Sequence, residues 1–228
     1  MILFDIDGTL LRRATEAHLA ALRAAVRQVH GVDVDAPRPA AARAGRTDGE
    51  IARMVLLAAG VSAERIDERA DAVRERCAHA YARLCPADLS ATVLPGIVEC
   101  LDWAAGRPGV KLGLVTGNFE PVARLKLARA GIGHYFPAGL GAFGSDSEDR
   151  SALPRIARRR AGRRGIPHPR AETVVVGDTP RDIACARADE LRCVAVATGP
   201  FAVEELADAD AVAANAFALP DVLAGLGV

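Results

Sequence analysis

Short, continuously apolar stretches recur along the chain and predict the strands of a sheet. They lie at residues 1–4 (MILF), 110–115 (VKLGLV), 138–143 (AGLGAF), 173–177 (TVVVG) and 192–197 (RCVAVA), and a weaker sixth lies at 210–214 (DAVAA). Because these stretches do not alternate with polar residues, they are typical of parallel strands that are covered on both faces.

Helical patterns separate the later strands from one another. The segment 121–131 (PVARLKLARAG) has Pro121 in place for a first helical turn and Gly131 in place for a stop. Segments 150–162 and 180–188 predict the next two helices. This alternation predicts an α/β fold with a doubly wound, mostly parallel, Rossmann-like sheet.

Residues 13–93 break the alternation and predict helices alone. Three apolar stripes have helical spacing, and Ser62 is placed to cap the third helix: Leu19, Leu22, Val26 and Val29; Ile51, Val55 and Ala58; Ile66, Val73, Cys77 and Leu84. The segment 36–44, rich in Pro and Ala, predicts a loop. We therefore expect a catalytic core of residues 1–12 and 94–228 and an inserted α-helical cap of residues 13–93.

The charge balance argues against a nucleic-acid partner or an anionic membrane. The 228 residues include 29 basic and 29 acidic side chains, so the formal net charge is zero. The basic segment 157–164 (ARRRAGRR) has no interleaved aromatic residue and predicts a solvated helix end. Only two of the 29 basic residues are lysines, Lys111 and Lys126.

The cysteines and the apolar runs predict a soluble, cytoplasmic protein. The five cysteines are odd in number and show no C-x-x-C spacing, which favours a reducing compartment. The first predicted strand begins at the start of the chain and leaves no room for a signal peptide. No apolar run approaches the roughly 20 residues that span a bilayer. The oligomeric state stays open.

Polar side chains follow the predicted strands where each one ends. Strand one is followed by Asp5, Asp7, Gly8 and Thr9, strand two by Thr116, Gly117 and Asn118, and strand four by Asp178 and Asp182, while Arg150 begins the helix after strand three. Ligands of open α/β sheets bind beyond these strand ends. Clustered carboxylates repel one another unless a cation neutralises them, and oxygen ligands of this kind suit Mg²⁺.

The segments FDIDGTL (4–10), VTGN (115–118), a basic residue before a helix, and VGDTPRDIACA (176–186) resemble the motifs of the haloacid dehalogenase superfamily, in its phosphoglycolate phosphatase-like branch. Their order and spacing match, and the helical insertion resembles the cap of that branch. The resemblance implies a Mg²⁺-dependent phosphatase that hydrolyses a small phosphorylated metabolite through a covalent aspartyl phosphate. The first substrate expected from the branch is 2-phosphoglycolate.

The resemblance also implies a role for each motif residue. Asp5 is the expected nucleophile, and Asp7 the acid that protonates the leaving oxygen and later deprotonates water. The expected Mg²⁺ ligands are Asp5, the backbone carbonyl of Asp7, and Asp178, with Asp182 holding a metal-bound water or orienting the basic residue. The expected substrate contacts are Thr116, Asn118, Gly117, Gly8 and Thr9, with Arg46 as an anion contact from the cap.

The third motif departs from the family, which usually has a lysine there. Arg150 lies near the expected place and can neutralise and grip a phosphate. Lys126 is the rival, but its position within a helix predicts a solvated face. We favour Arg150.

Several residues keep a second interpretation. His18 reaches the substrate from the cap, as a catalytic histidine does in related phosphomutases, or serves packing or solvation. Asp48 belongs to a cap loop that faces the site, or is the N-cap of the helix starting at Glu50. Asp182 is a first-turn residue favoured by the helix dipole, and Asp5 and Asp7 alone are compatible with a simple turn.

The sequence also bears on other functions of similar folds. A dehalogenase would leave Asp7 without a task, because a halide leaves without a proton. A phosphonate hydrolase of this superfamily needs a cap lysine, and residues 13–93 contain none. A phosphoaspartate receiver domain would not carry so large an insertion. A phosphomutase and a catalytically silent phosphate-binding regulatory subunit stay open.

Overall fold

The computed structural model describes residues 1–12, 16–35 and 42–227. Within these residues, six parallel strands form one sheet in the order β3-β2-β1-β4-β5-β6. The strands are β1 (Ile2–Phe4), β2 (Leu112–Thr116), β3 (Ala142–Phe143), β4 (Val174–Gly177), β5 (Arg192–Val196) and β6 (Ala211–Ala213). All six predicted strands are confirmed, although β3 has only two residues.

The central strand β1 sets the position of the site. Phe4 pairs in register with Leu114 on one side and Val176 on the other. The backbone N–H of Asp5 still donates to the Val176 carbonyl (2.9 Å), so the chain leaves the sheet immediately after this residue. The strand order reverses between β1 and β4, and such a switch point opens a crevice at the carboxyl edge of a parallel sheet.

Five helices of the core accompany this sheet: α4 (Ile97–Ala105), α5 (Glu120–Arg129), α6 (Leu153–Ala161), α7 (Pro180–Ala188) and α8 (Leu219–Gly225). Successive strand residues point to opposite faces, so Phe4 belongs to one buried apolar cluster and Leu3 to a second. The predicted helices α5, α6 and α7 are confirmed, and a 3-10 turn at Arg150–Ala152 precedes α6. The sequence patterns missed α4 and α8, because helices of nine and seven residues offer few periodic repeats.

Among the described residues of the insertion, three α-helices are present: α1 (Glu16–His30), α2 (Asp48–Ala58) and α3 (Ala63–Leu84). The Ser62 hydroxyl accepts from the Arg65 N–H (3.4 Å), which confirms the predicted cap. Ala58 and Leu84 were expected on buried faces, but both are exposed. Each is the last residue of its helix. Most of the predicted loop, residues 36–41, lies outside the described residues.

The chain enters and leaves the insertion at a single place. The Arg12 N–H donates to the Thr92 carbonyl (2.8 Å), and the Leu94 N–H donates to the Leu10 carbonyl (3.0 Å). The two crossing segments are therefore tied to each other by backbone hydrogen bonds. The predicted domain boundaries, after residue 12 and after residue 93, fall at this crossing and stay a prediction.

The cysteines are part of the buried interior. All five cysteines are buried and free: Cys77, Cys85, Cys100, Cys185 and Cys193. Burial raises the pKa of the Cys185 and Cys100 thiols to about 12, so these two side chains are neutral at physiological pH.

Among the described residues, no helix combines the length and the apolar composition that crossing a bilayer requires.

Candidate active site

Three buried carboxylates meet at the switch point of the sheet. Asp5 follows β1, Asp178 follows β4, and Asp182 lies in the first turn of α7. One oxygen of each lies within 4.8 Å of the others. The Thr9 hydroxyl donates to Asp178 Oδ1 (2.9 Å) and orients that carboxylate. Gly8 has a φ of +95°, and a Cβ there would lie 2.2 Å from Asp178 Oδ2, so this close approach requires glycine.

The protein alone does not make it favourable for these three groups to be ionised together. Burial raises the pKa of Asp178 to about 9, and the neighbouring Asp182 and Asp5 carboxylates add to the effect. Burial also raises the pKa of Asp5 to about 6, although the Arg150 guanidinium opposes it. A cation among the carboxylates would remove this penalty. Three hard oxygen donors at this spacing fit a divalent cation of the Mg²⁺ type.

Arg150 lies on one side of the three carboxylates Asp5, Asp178 and Asp182, which are called the acidic group below. Its side chain is buried, its Nη2 lies 3.3 Å from Asp5 Oδ1, and the same nitrogen hydrogen-bonds Asp182. Burial disfavours the charged guanidinium, but Asp182 and Asp5 hold the pKa of Arg150 above its usual value. Its Nε is buried with no hydrogen-bond partner among the described residues. The Arg150 guanidinium therefore places a positive charge beside Asp5, which suits an anionic ligand.

Asp182 lies in the first turn of α7 and also contacts Arg150. Its Oδ2 accepts from the Thr179 N–H (3.0 Å) and the Thr179 hydroxyl (2.7 Å), and it completes a capping box at the start of α7. Its other oxygen, Oδ1, contacts Arg150. The helix start thus fixes an acidic side chain at the cleft.

Lys126 is fully buried, so the predicted solvated face is wrong. Its Nζ donates to Asp7 Oδ2 (2.6 Å), Asp7 Oδ1 (2.8 Å) and Asn118 Oδ1 (2.8 Å). Asn118 Nδ2 also donates to Asp7 Oδ2 (2.9 Å). Burial disfavours the ionised Asp7, but the Lys126 ammonium outweighs this effect and holds the pKa of Asp7 below its ordinary value. The reason for the correction is tertiary: a carboxylate across the core compensates the buried ammonium.

The insertion adds His18 and Asp48 to this cluster. His18 Nδ1 lies 3.2 Å from Lys126 Nζ, and His18 Nε2 lies 2.9 Å from Asp48 Oδ2. The Phe119 N–H donates to the same Asp48 oxygen (2.7 Å). Both side chains are buried, so solvation does not explain His18. Asp48 is not the N-cap either, because Thr47 caps α2 by accepting from the Glu50 N–H (3.0 Å).

A cavity of about 450 Å³ connects these groups. Its walls combine the polar groups Asp5, Asp7, Gly8, Gly117, Asn118, Arg150 and Asp178 with the apolar side chains Leu11, Leu19 and Ile51, and His18, Arg43, Arg46 and Asp48 also contribute. Arg46 lines the cavity, but its guanidinium pairs with Glu50 and its Nε donates to the Ala42 carbonyl (2.8 Å). A Cβ on Gly117 would lie 2.1 Å from the Arg46 carbonyl oxygen, so the insertion packs directly on this loop.

Most of the predicted site residues line one cavity, and two others are fully buried. Thr9 is fully buried, and its hydroxyl is used by Asp178. Thr116 is fully buried, and its Oγ1 accepts from the Asn118 N–H (3.4 Å). Their proposed contacts with substrate stay predictions. The cluster around Lys126 was missed, and the signal available for it was the scarcity of lysine among the basic residues.

Comparisons with known proteins agree with this geometry. A family model described as haloacid dehalogenase-like hydrolase matches residues 2–187, and a second HAD-hydrolase-like model matches residues 151–224. A phosphoglycolate phosphatase from Rhodospirillum rubrum is 30% identical over 217 residues, which are 93% of this chain and 85% of the relative.

Solved structures show the same fold at low identity. CbbY from Rhodobacter sphaeroides, in complex with phosphate, is 23% identical with a TM-score of 0.69, covering 100% of this chain and 98% of its own. A β-phosphoglucomutase from Clostridium difficile is 18% identical with a TM-score of 0.69, covering 99% and 96%. These neighbours confirm the predicted α/β fold with its helical cap. The family model and the curated relative confirm the prediction of a phosphatase enzyme, and the chain belongs to the haloacid dehalogenase-like hydrolases, in their phosphoglycolate phosphatase-like branch.

Proposed function

We propose that this protein hydrolyses a small phosphate monoester through a covalent aspartyl phosphate on Asp5. The observation that carries the proposal is the position of Asp5. Its carboxylate belongs to a buried acidic group, lies 3.3 Å from the Arg150 guanidinium and lines the same cavity as Asp7. A nucleophile, a cationic donor and a second carboxylate are the parts that phosphoryl transfer requires.

Asp5 and Asp7 carry out the chemical steps of this mechanism. The Asp5 carboxylate attacks phosphorus, and the bond from phosphorus to the leaving oxygen breaks as that oxygen takes a proton from Asp7. Water then attacks the phosphorus of the aspartyl phosphate and loses a proton to Asp7, which frees Asp5 and releases inorganic phosphate. A bound phosphate monoester brings negative charge next to Asp7, and that charge favours the protonated form that the first step needs.

The phosphoryl oxygens are held by donors from three loops. Arg150 supplies its guanidinium, and we assign further contacts to Gly8 and Thr9 after β1 and to Thr116, Gly117 and Asn118 after β2. The two glycines line the cavity, so their loops lie where a phosphate would contact backbone. Positive charge and aligned donors stabilise the transferring phosphoryl group.

The acidic group fits the Mg²⁺ that the family implies. Asp5, Asp178 and the backbone carbonyl of Asp7 would hold the ion, with Asp182 acting through a water or through Arg150. When bound, the ion supplies positive charge that neutralises the carboxylates and the phosphoryl oxygens. Thr9 and Gly8 serve this site by orienting Asp178 and by leaving space for it.

The cavity favours a short leaving group. Its volume of about 450 Å³ must hold both the phosphoryl group and the rest of the substrate. Leu11, Leu19 and Ile51 give apolar contact, and Arg46 gives a cationic contact whose charge is shared with Glu50. We propose 2-phosphoglycolate as the first substrate to test, which the 30% identity to a phosphoglycolate phosphatase also supports.

A substrate panel tests the proposal. Released phosphate is measured with and without Mg²⁺ for 2-phosphoglycolate, sugar phosphates and nucleoside monophosphates. We expect Mg²⁺-dependent turnover, fastest with the smallest anionic ester. Conversion of one sugar phosphate isomer into another without net phosphate release would indicate a phosphomutase. Absence of turnover with every ester would indicate a regulatory subunit.

A further inference from the structure

We propose that Lys126 is a positioning residue that holds the Asp7 carboxylate in place, and that His18 and Asp48 make this hold depend on the closed cap. The inference rests on the proposed function, in which Asp7 donates a proton to the leaving oxygen. It concerns a lysine outside the third motif, whose place Arg150 takes.

The hydrogen bonds of Lys126 account for its whole donor capacity. An ammonium group has three hydrogens and no acceptor. Nζ of Lys126 has three partner groups within 3.2 Å: the Asp7 carboxylate, Asn118 Oδ1 and His18 Nδ1. The side chain is fully buried, so water does not compete for these hydrogens. The ammonium is therefore held from three sides, and it holds Asp7 in turn.

The direction of each hydrogen bond follows from this count. Because His18 Nδ1 accepts from Lys126, the neutral ring carries its proton on Nε2 and donates to Asp48 Oδ2 (2.9 Å). Asp48 Oδ2 also accepts from the Phe119 N–H (2.7 Å). The chain of donors thus runs from the backbone after β2, through the cap, to the ammonium beside Asp7, and a fully satisfied buried network of this kind is rigid.

The cap contributes two members of this network. His18 lies on α1 and Asp48 begins α2, whereas Lys126 and Asp7 belong to the core. The Asp48 N–H also donates to the Gly117 carbonyl (2.8 Å), so Asp48 binds the loop after β2 by backbone and by side chain. Separating the cap from the core would remove one of the three partners of Lys126. The proton donor is then fully oriented only when the cap is closed over the cavity.

The chemistry of the side chain explains why a lysine stands here. A lysine ammonium is compact and offers its donors to a tight cluster of acceptors, whereas the larger planar guanidinium of arginine has a fixed fork. The other 27 of the 29 basic residues are arginines, and the second lysine, Lys111, donates to the Ala161 carbonyl (2.8 Å). Lys111 therefore gives a matched control.

The test compares two substrates in Lys126→Met. A nitrophenolate leaves with little help from an acid, whereas the alkoxide from 2-phosphoglycolate needs a proton. We expect kcat with 2-phosphoglycolate to fall about 10²-fold or more, kcat with 4-nitrophenyl phosphate to fall less than about tenfold, and KM to change little. Lys111→Met should behave as the parent protein. Equal losses with both substrates, or a raised KM with unchanged kcat, would overturn the proposal.

A second variant keeps the test decisive if Lys126→Met does not fold. His18→Leu leaves the pair of Lys126 and Asp7 intact and removes the link to the cap. We expect the same selective loss with 2-phosphoglycolate, about tenfold, and an unchanged ratio between the two substrates would overturn the proposal. If the parent protein lacks Mg²⁺-dependent turnover, the proposed function itself fails. That outcome is distinct from turnover that is insensitive to Lys126 and His18.

Discussion

Asp5 and Asp7 lie two residues apart in the chain, but each carboxylate pairs with a different buried cation. Asp5 Oδ1 lies 3.3 Å from Arg150 Nη2, whereas Asp7 Oδ2 lies 2.6 Å from Lys126 Nζ. The two carboxylates have pKa values shifted in opposite directions, raised to about 6 for Asp5 by burial and lowered for Asp7 by Lys126, against the effect of its own burial. In the proposed mechanism Asp5 therefore needs a further cation to favour its ionised form, and Asp7 needs the negative charge of a bound phosphate to favour its protonated form.

Replacing the proposed nucleophile should abolish turnover while the fold persists. Asp5→Asn keeps the shape of the side chain but removes the charge that attacks phosphorus, so kcat should fall roughly 10³-fold or more. The measurement is phosphate release at saturating Mg²⁺, with circular dichroism to monitor folding. Asp221→Asn, at an exposed position in α8, is the control. Activity of Asp5→Asn near that of the control would contradict the assignment.

Arg150 should determine phosphate affinity. Arg150 lines the cavity and its charge lies next to Asp5, so Arg150→Ala should remove the charge-assisted hydrogen bonds proposed for a bound phosphate. Such bonds are worth about 1.5–3 kcal/mol, which corresponds to roughly a 10- to 150-fold weaker inhibition by inorganic phosphate. Inhibition constants measure the effect. If Lys126→Met weakens phosphate inhibition and Arg150→Ala does not, Lys126 holds the place of the third motif.

The sequence predicted those parts of the fold that depend on local pattern. The apolar run that ends at Phe4 is a central strand, and Pro180–Ala188 is the helix that the sequence pattern predicts. The meeting of Asp5 with Asp178 also followed, because parallel strands bring their carboxyl ends to one edge.

Lys126 shows where local pattern is insufficient. Helix α5 carries charged side chains at Arg124, Lys126 and Arg129, and their spacing does not say which one points inward. The answer depends on Asp7, which is 119 residues away in the chain. The pairing of His18 with Asp48 likewise joins two helices of the cap, and no periodicity within either helix contains it.

Thr9 should affect metal affinity more than stability. Its hydroxyl donates to Asp178 Oδ1 (2.9 Å), and loss of a hydrogen bond that orients a metal ligand typically costs 10- to 100-fold in affinity. The Mg²⁺ concentration that gives half-maximal activity should therefore be about 10- to 100-fold higher for Thr9→Val than for the parent protein. The Mg²⁺ concentration that gives half of the maximal rise in melting temperature should increase by a similar factor.

Thr173→Val is the matched control for this experiment. Thr173 is also fully buried, but its hydroxyl donates to the Pro169 carbonyl (2.7 Å) just before β4. The control should lose stability without a change in the Mg²⁺ requirement. If both variants show the same requirement as the parent protein, the Thr9 hydroxyl does not influence metal binding.

His30 should make the protein less stable in acid. The ring lies in the last turn of α1, and neither of its buried nitrogens has a partner among the described residues. Burial, with Arg65 and Arg69 nearby, lowers the pKa of His30 below 6.5. As the pH falls through 6.5, the unfolded chain therefore binds a proton that the folded chain excludes, and the free energy of unfolding decreases.

Thermal unfolding at pH 8 and at pH 5.5 measures this effect. His30→Phe should lose less stability between these two values than the parent protein, because the variant has no proton to bind at this position. His79→Gln, at an exposed position on α3, should keep the dependence of the parent protein. An identical dependence in all three proteins would exclude His30 as the source.

The contact of Arg53 with Glu148 should favour the closed cap. Arg53 on α2 donates to both carboxylate oxygens of Glu148 in the core, with Nη2 at 3.1 Å from Oε1, and Thr47 Oγ1 donates to the Glu148 carbonyl (2.8 Å). The pair is partly exposed, so it contributes at most about 1 kcal/mol. Arg53→Ala should therefore raise KM by up to about fivefold and increase hydrogen exchange in α2. Arg23→Ala, which removes an ion pair with Asp35 on the exposed side of the cap, should leave KM unchanged, and a similar rise in both variants would mean that the Arg53 contact has no special role in closure.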